Sequence, residues 1–175
     1  MSVVRRALPA DLPHLAGIEA AADRLFAELF GRDPGWGEPP SGERRASEPS
    51  FLLVAQEEPE GPVAGFAHVL EIEGSAHLEQ LAVDPAHQRR GHGRALVEAA
   101  KAEAARRGYD RLSLMTYADV LWNAPFYATC GFVETEPSTS LHHRLARIEH
   151  ELGLDRHGRR VLMVTSLTTR RVTSE

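Results

Sequence analysis

Cysteine and long apolar runs are what this sequence has least of. Its single cysteine, Cys130, excludes an internal disulfide and fits a reducing compartment. No apolar run approaches the ~20 residues that a bilayer-spanning helix needs. The N-terminal stretch also lacks the apolar region of a signal peptide. The protein is therefore expected to be cytoplasmic.

Positive charge is in short supply as well, because 25 acidic residues outnumber 20 lysines and arginines and leave a formal net charge of −5. Such a balance argues against a general nucleic-acid binder, which usually has a basic face. Arginines do cluster at Arg89-Arg90 and at Arg159-Arg160, which still allows a site for one anionic ligand. A metal site is not expected, since His150-Glu151 begins like a His-Glu-x-x-His zinc helix but Leu154 stands at its closing position.

The chain is expected to form one domain, 1–175, with a polar tail from about Thr168. Successive strands joined by short turns, followed by a strand–helix–strand unit, predict an α/β fold with a mixed sheet. We predict strands over 3–7, 51–56, 62–71, 79–83, 111–116, 132–134 and 160–167, and helices over 9–30, 93–107, 123–130 and 138–154. The stretch 31–49 is rich in Gly, Pro and charge and is predicted to be a loop with one helical turn near 42–46.

A polar turn with two glycines lies between the strand at 79–83 and the helix at 93–107. Glycines let the backbone approach a ligand closely, and the first N–H groups of a helix have no partner within the helix. With the positive end of the helix dipole behind them, they favour a phosphate or pyrophosphate. The turn is not a P-loop, and Leu96 stands where the dinucleotide-binding fingerprint needs its third glycine.

The turn reads Gln-x-x-Gly-x-Gly, LEQLAVDP precedes it, and WNAPFYATCGF follows further along the chain. With these motifs the sequence resembles the GNAT superfamily of N-acetyltransferases, over roughly 3–132 and a last strand near 161–167. The resemblance implies a GNAT-like mixed, mostly antiparallel sheet with a parallel splayed strand pair, flanked by helices, and acetyl-CoA as the acetyl donor. The cofactor-binding residues that it implies are Leu81, Ala82 and Val83 of the strand, Gln88, Arg89, Arg90, Gly91, His92, Gly93 and Arg94 of the turn, and Asn123 and Phe126 of the later helix.

The resemblance also implies two catalytic residues, Glu79 and Tyr127. Glu79 would remove a proton from the amine, because a protonated amine has no lone pair with which to attack a thioester; His77 and a water chain are the open alternatives. Partial burial would raise the pKa of such a carboxylate and make it a better base. Tyr127 would protonate the departing thiolate. The alternative interpretations are a surface Glu79 on an exposed strand end, and Phe126 and Tyr127 as core aromatics.

The leading hypothesis is an N-acetyltransferase that transfers acetyl from acetyl-CoA to a primary amine by direct attack. A small-molecule acceptor is favoured and a protein acceptor stays open. The alternative is a non-catalytic acetyl-CoA-binding or sensing module with a GNAT-like fold, and a third reading is an acyltransferase for longer acyl-CoA. No nucleic-acid or membrane partner is expected, and the chain is expected to be a monomer or homodimer. Trp36 either pins its loop to the body of the protein or lines an acceptor pocket.

Overall fold

The computed structural model describes residues 1–168, so the predicted tail beyond Thr168 lies outside them. The strands are β1 (Val3–Arg6), β2 (Ser50–Gln56), β3 (Val63–Ile72), β4 (Ser75–Val83), β5 (Arg111–Tyr117), β6 (Val133–Glu134) and β7 (Arg160–Ser166). The α-helices are α1 (Leu12–Phe30), α2 (Gly42–Ser47), α3 (His92–Arg106), α4 (Ala124–Thr129) and α5 (Ser140–Glu151). Among these helices, none combines the length and the apolarity that a membrane crossing requires.

The strands form one mixed sheet in the order β1-β2-β3-β4-β5-β7-β6. Pairing is antiparallel from β1 through β2 to β3, and again between β5 and β7 and between β7 and β6. Pairing between β4 and β5 is parallel and joins Ala76–Leu78 to Leu112–Leu114. A parallel pair needs a crossover connection, and α3 supplies it. The predicted fold class is therefore confirmed.

The chain divides into two compact units, and the first contains Met1–Leu70 and Glu79–Ala100. Its core forms where the apolar face of α1 meets the sheet, as the helical spacing of the leucines and isoleucine predicts. The buried residues of this core are Leu15, Ile18, Leu52, Val54, Phe66 and Ala82. One face of α3 is also buried, because Leu96, Val97 and Ala100 are fully inaccessible to solvent.

The second unit contains Glu71–Leu78 and the described chain from Lys101 onward. Strand β5 pairs along its whole length with β7, from Arg111 opposite Ser166 to Tyr117 opposite Arg160. Apolar side chains of these two strands, such as Leu112 and Met163, are buried. Gly108 follows α3 with a φ of 92°, a left-handed conformation with which glycine commonly ends a helix.

The predicted helix over 138–154 is shorter in the structure. Helix α5 ends at Glu151, and Gly153 adopts the left-handed conformation with a φ of 74° before a 3-10 turn at Leu154–His157. A glycine reaches this conformation without a Cβ clash, so it ends a helix that an apolar periodicity alone would continue. Strand β4 is longer than predicted, because it starts at Ser75 directly after the turn at Gly74.

Candidate active site

The polar turn between β4 and α3 has the backbone geometry of an anion-binding turn. Asp84 caps a 3-10 turn at Pro85–His87 by accepting the N–H of Ala86 at 2.9 Å. Arg89 and Gly91 then adopt left-handed conformations, with φ of 61° and 84°. Helix α3 begins at His92, one residue earlier than predicted. The first N–H groups of α3 therefore follow directly on a turn that glycine makes possible.

Side chains of the turn divide between solvent and the protein. Arg89, Arg90 and Arg94 are all exposed, and the guanidinium of Arg90 also pairs with the Glu57 carboxylate just after β2. The His92 ring is only 2% exposed, and its Nδ1 lies 2.5 Å from Ser2 Oγ. The His92 side chain thus points into the protein, so its backbone N–H is the group available to a phosphate in the turn.

The end of β4 lies unusually close to β3. A Cβ built on Gly65 would lie 2.7 Å from the Ala82 carbonyl oxygen, so only glycine permits this spacing. A glycine within a strand often indicates a bulge or a close backbone approach. The β2–β3 register also shifts beside it, between Ala55 and Gln56. Ala82 is buried, while Leu81 and Val83 are partly exposed.

The two candidate bases on β4 lie in different surroundings. Glu79 is exposed rather than partly buried, which agrees with the alternative of a surface glutamate and removes the burial that was expected to make it a better base. His77 is 4% exposed, and its Nδ1 is 2.8 Å from Ser113 Oγ. Burial, aided by the nearby charge of His142, lowers the pKa of His77 to about 4. His77 is therefore a weak base that is neutral at pH 7.

A buried charged cluster in the first unit was missed by sequence reasoning. The Arg45 guanidinium, 3% exposed, pairs with Glu19 of α1 and lies 3.3 Å from Nδ1 of His68 on β3. Arg45 Nε and His68 Nε2 are buried, and no hydrogen-bond partner for either lies within residues 1–168. Asp23, one helical turn beyond Glu19, belongs to the same group. The sequence signal was present: Glu19 and Asp23, four residues apart, flank the apolar face of α1.

The carboxyl groups of this cluster hold their protons unusually well. Burial raises the pKa of Glu19 to about 7; the Arg45 charge opposes this, and the charges of Asp23 and Glu79 add to it. Burial likewise raises the pKa of Asp23 to about 6, again against the effect of Arg45. Burial lowers the pKa of His68 to about 4. At neutral pH the cluster contains one permanent cation, the guanidinium. A second cation beside the carboxyl groups would stabilise their ionised forms.

Helix α4 of the second unit holds the other predicted site residues. Tyr127 is 9% exposed, and its ring lies 5.2 Å from that of Phe126 and 5.8 Å from that of Phe132, centroid to centroid. Burial raises the pKa of Tyr127, so the phenol keeps its proton at neutral pH. Asn123 Oδ1 accepts the backbone N–H of Tyr117 at 3.2 Å and so ties the start of α4 to β5.

Trp36 packs on helix α1. Its ring lies 5.1 Å from Phe26 and 6.2 Å from Phe30, in edge-on arrangements that aromatic pairs favour. These contacts support the interpretation that Trp36 pins its loop to the body of the protein. Cys130 is buried at the end of α4, as expected for a packed residue.

Comparison with known proteins identifies the family. A model described as the acetyltransferase (GNAT) family matches residues 20–132, well over half of the chain. The chain belongs to the GNAT family. The resemblance carried by the glycine turn and the WNAPFY segment is thereby confirmed. Acetyltransferases of this family use acetyl-CoA as their acetyl donor.

Individual relatives are more distant. The mycothiol acetyltransferase of Clavibacter michiganensis subsp. michiganensis is 38% identical over 110 residues, which cover 59% of this chain and 35% of that protein. The chain thus spans about a third of the length of this curated relative. The ribosomal-protein-S18-alanine N-acetyltransferase from Escherichia coli matches at 24% identity with a TM-score of 0.66, covering 100% of this chain and 99% of its own. The N-acetylglutamate synthase from Neisseria gonorrhoeae, complexed with coenzyme A and N-acetyl-glutamate, matches at 20% identity with a TM-score of 0.63, covering 96% of this chain and 35% of its own. At these identities the two structures show a shared fold.

Proposed function

We propose that this GNAT protein is an N-acetyltransferase that transfers acetyl from acetyl-CoA to a primary amine, with a small molecule as the favoured acceptor. The observation that carries the proposal is the exposed carboxylate of Glu79 on β4, the strand that leads directly into the glycine turn. Family membership supplies the acetyl donor, and Glu79 supplies a group that an incoming amine can reach. A cytoplasmic location, which the single cysteine favours, belongs to the same proposal.

Donor binding is assigned to main-chain groups. The backbone from Gln88 to Gly93 and the start of α3 would hold the pyrophosphate, with Arg89 and Arg94 as nearby cations. The backbone of Leu81, Ala82 and Val83 would bind the pantetheine arm and polarise the thioester carbonyl. Gly65 supports this assignment, because it lets β3 pass close to this part of β4 without a side chain between them.

The reaction is assigned as a direct attack. The amine loses a proton to Glu79, directly or through water, and its nitrogen then attacks the thioester carbonyl carbon. The attacking nitrogen then loses its second proton to solvent, and the tetrahedral intermediate collapses as the C–S bond breaks, which yields the N-acetylated amine and the CoA thiolate. A proton from Tyr127, or from solvent, converts the thiolate to the thiol. A thiol pKa of about 8.5 makes the thiolate a tolerable leaving group, so Tyr127 assists but is not indispensable.

The buried charged cluster supports an amine acceptor. Glu19 and Asp23 have pKa values raised by burial, to about 7 and about 6, so a cation that binds beside them would stabilise their ionised forms. Glu79 lies close enough for its charge to raise the pKa of Glu19 further. A small ammonium group fits such partly desolvated surroundings better than a bulky anionic acceptor, which would meet carboxylates.

Acetylation of a panel of amines with acetyl-CoA, followed by mass spectrometry and by CoA release, tests the proposal. Glu79→Gln should lower kcat by roughly 10²–10⁴ while acetyl-CoA affinity stays close to that of the wild type. Glu58→Gln, an exposed glutamate in the β2–β3 turn, is the matched control. If acetyl-CoA binds but no amine is acetylated, the alternative of a non-catalytic binding or sensing module is favoured. If Glu79→Gln keeps the kcat of the wild type, the proton of the amine is removed by His77 or by water instead.

A further inference from the structure

Three side chains with metal-ligating atoms meet beside the glycine turn. Glu57 follows β2, His87 ends the 3-10 turn after β4, and His92 opens α3, so Glu57 lies far in sequence from the two histidines. Their ligating atoms all lie within 4.8 Å of one another. Glu57 Oε1 is 2.9 Å from His87 Nδ1 and 3.8 Å from His92 Nε2. The short-spacing motifs considered in the sequence could not reveal this group.

His92 provides an independent observation that points to a ligand. Its ring is 2% exposed, and its Nε2 is a buried nitrogen for which residues 1–168 offer no hydrogen-bond partner. A buried polar atom of this kind is costly unless something satisfies it. The other ring nitrogen, Nδ1, lies 2.5 Å from Ser2 Oγ. In the tautomer with the proton on Nδ1, that N–H donates to Ser2 and the Nε2 lone pair is directed toward Glu57.

The tautomer with the proton on Nδ1 is the one that a metal-binding His92 requires. Metal-binding histidines commonly donate their second ring N–H to an oxygen, which fixes the tautomer and the ring orientation. Ser2 takes that place for His92. His87 is about a quarter exposed, so the group is also open to solvent on one side. An ion can therefore enter, and a water molecule can complete its coordination.

We propose that Glu57, His87 and His92 bind one divalent transition-metal ion, with Zn²⁺ as the best match. Two imidazole nitrogens and one carboxylate oxygen, with water in the fourth position, form a common zinc set. Bonds of about 2.0–2.1 Å in a tetrahedron place ligand atoms ~3.3 Å apart. The observed separations of 2.9 and 3.8 Å lie on either side of this value, so small side-chain rotations suffice.

Arg90 is the built-in competitor for this site. Its guanidinium pairs with the same Glu57 oxygen that a metal would bind. Metal binding must displace Arg90 from Glu57. Removing the Arg90 charge should therefore tighten metal binding, whereas removing a ligand should weaken it.

These opposite effects define the test. The untagged, chelator-treated full-length protein is titrated with Zn²⁺ by calorimetry, and with Co²⁺ while its visible absorption is recorded. We expect one ion per chain, at least 10-fold weaker binding in Glu57→Gln and in His87→Ala, and tighter binding in Arg90→Gln. His150→Ala is the matched control, since His150 pairs with Asp155 in an exposed histidine–carboxylate contact. This variant should bind Zn²⁺ as the wild type does.

Circular dichroism verifies that each variant is folded. Co²⁺ spectra typical of tetrahedral coordination, lost in His87→Ala and kept in His150→Ala, would support the proposed site. Absence of Zn²⁺ binding to the wild type would overturn the proposal. Equal affinity in the wild type, Glu57→Gln and His87→Ala would do the same, because the ion would then bind elsewhere. Both readouts use the metal alone and are independent of acetyltransferase activity.

Discussion

Gly65→Ala is the substitution for which the structure predicts the clearest loss. The added Cβ would lie 2.7 Å from the Ala82 carbonyl oxygen, 3.1 Å from Val83 Cγ2 and 3.2 Å from Val83 Cα. Two of these three atoms belong to the backbone, so a side-chain rotation cannot relieve the contact. Strands β3 and β4 would have to separate by several tenths of an ångström.

Overpacking of this kind costs about 1–3 kcal/mol. For a protein of this size each kcal/mol shifts Tm by roughly 2–4 °C, so Gly65→Ala should lower Tm by about 2–12 °C. Gly17→Ala is the same chemical change and is expected to alter stability in the opposite direction. Gly17 lies within α1, and no atom of the described residues comes within 4 Å of its added Cβ. A helical Gly→Ala replacement there should stabilise by roughly 0.5–1 kcal/mol.

Urea unfolding of the wild type and both variants, with equal slopes, measures these differences. Calorimetry with acetyl-CoA adds a functional readout, because Ala82 and Val83 are proposed to bind the pantetheine arm. Gly65→Ala should weaken that binding, and Gly17→Ala should leave it unchanged. A Gly65→Ala protein as stable as the wild type would refute the close approach of β3 and β4. A folded, destabilised variant with full donor affinity would remove this part of β4 from the donor site.

Three further substitutions test the site. Gly91→Asp should abolish measurable acetyl-CoA binding in calorimetry, since it adds bulk and negative charge where the pyrophosphate is proposed to lie. Gly74→Asp, at a similar φ of 73° in the β3–β4 turn, controls for backbone strain, and equal donor affinity in both variants would exclude the turn. Tyr127→Phe should fold normally, with a kcat about 10- to 1000-fold lower than that of the wild type. If the variant unfolds, Tyr127 is a core residue. If it folds and keeps the wild-type kcat, Tyr127 is not the general acid. Glu19→Gln should gain stability relative to the wild type as the pH rises from 5 to 8. The pKa of Glu19 is raised from 4.5 to about 7, so the protonated side chain stabilises the folded wild type fully below pH 4.5. This contribution to the free energy of unfolding, about 3 kcal/mol at most, is lost as the pH rises through 7. A pH-independent difference in urea unfolding would contradict this reasoning.

Features that depend on neighbours in sequence were predictable. The glycine turn, the start of α3 and its buried face follow from residue types within about one helical turn of each other. Gly65 could be marked as a close-approach position because a glycine within a strand has few other uses. The one turn of helix at 42–46 was also predictable, and Ser41 caps α2 by accepting the N–H of Arg44.

Features that depend on tertiary packing were not predictable. Nothing in the sequence near Glu19 indicates that Arg45 lies beside it, because α1 and α2 are separated by a loop rich in glycine and proline. The exposure of Glu79 could not be predicted for the same reason. Alternation along a strand predicts which side chains share a face of the sheet, but not which residues cover that face. The contact between Glu57 and His92 was likewise not predictable, because it forms only where the end of β2 meets the start of α3.

The overall charge of −5 concealed two local charge distributions of opposite sign. Arg89 and Arg94 are exposed at the start of α3, where the helix dipole is also positive. Glu19 and Asp23, with Glu79 close enough to affect the pKa of Glu19, form a region whose carboxyl groups exceed its single buried guanidinium. The proposed transfer from an anionic donor to a cationic amine would benefit from this separation. If both regions had the same charge, one of the two substrates would be repelled. If their charges neutralised each other, neither substrate would be attracted. Composition averages over the regions and therefore reveals nothing of the proposed amine acceptor.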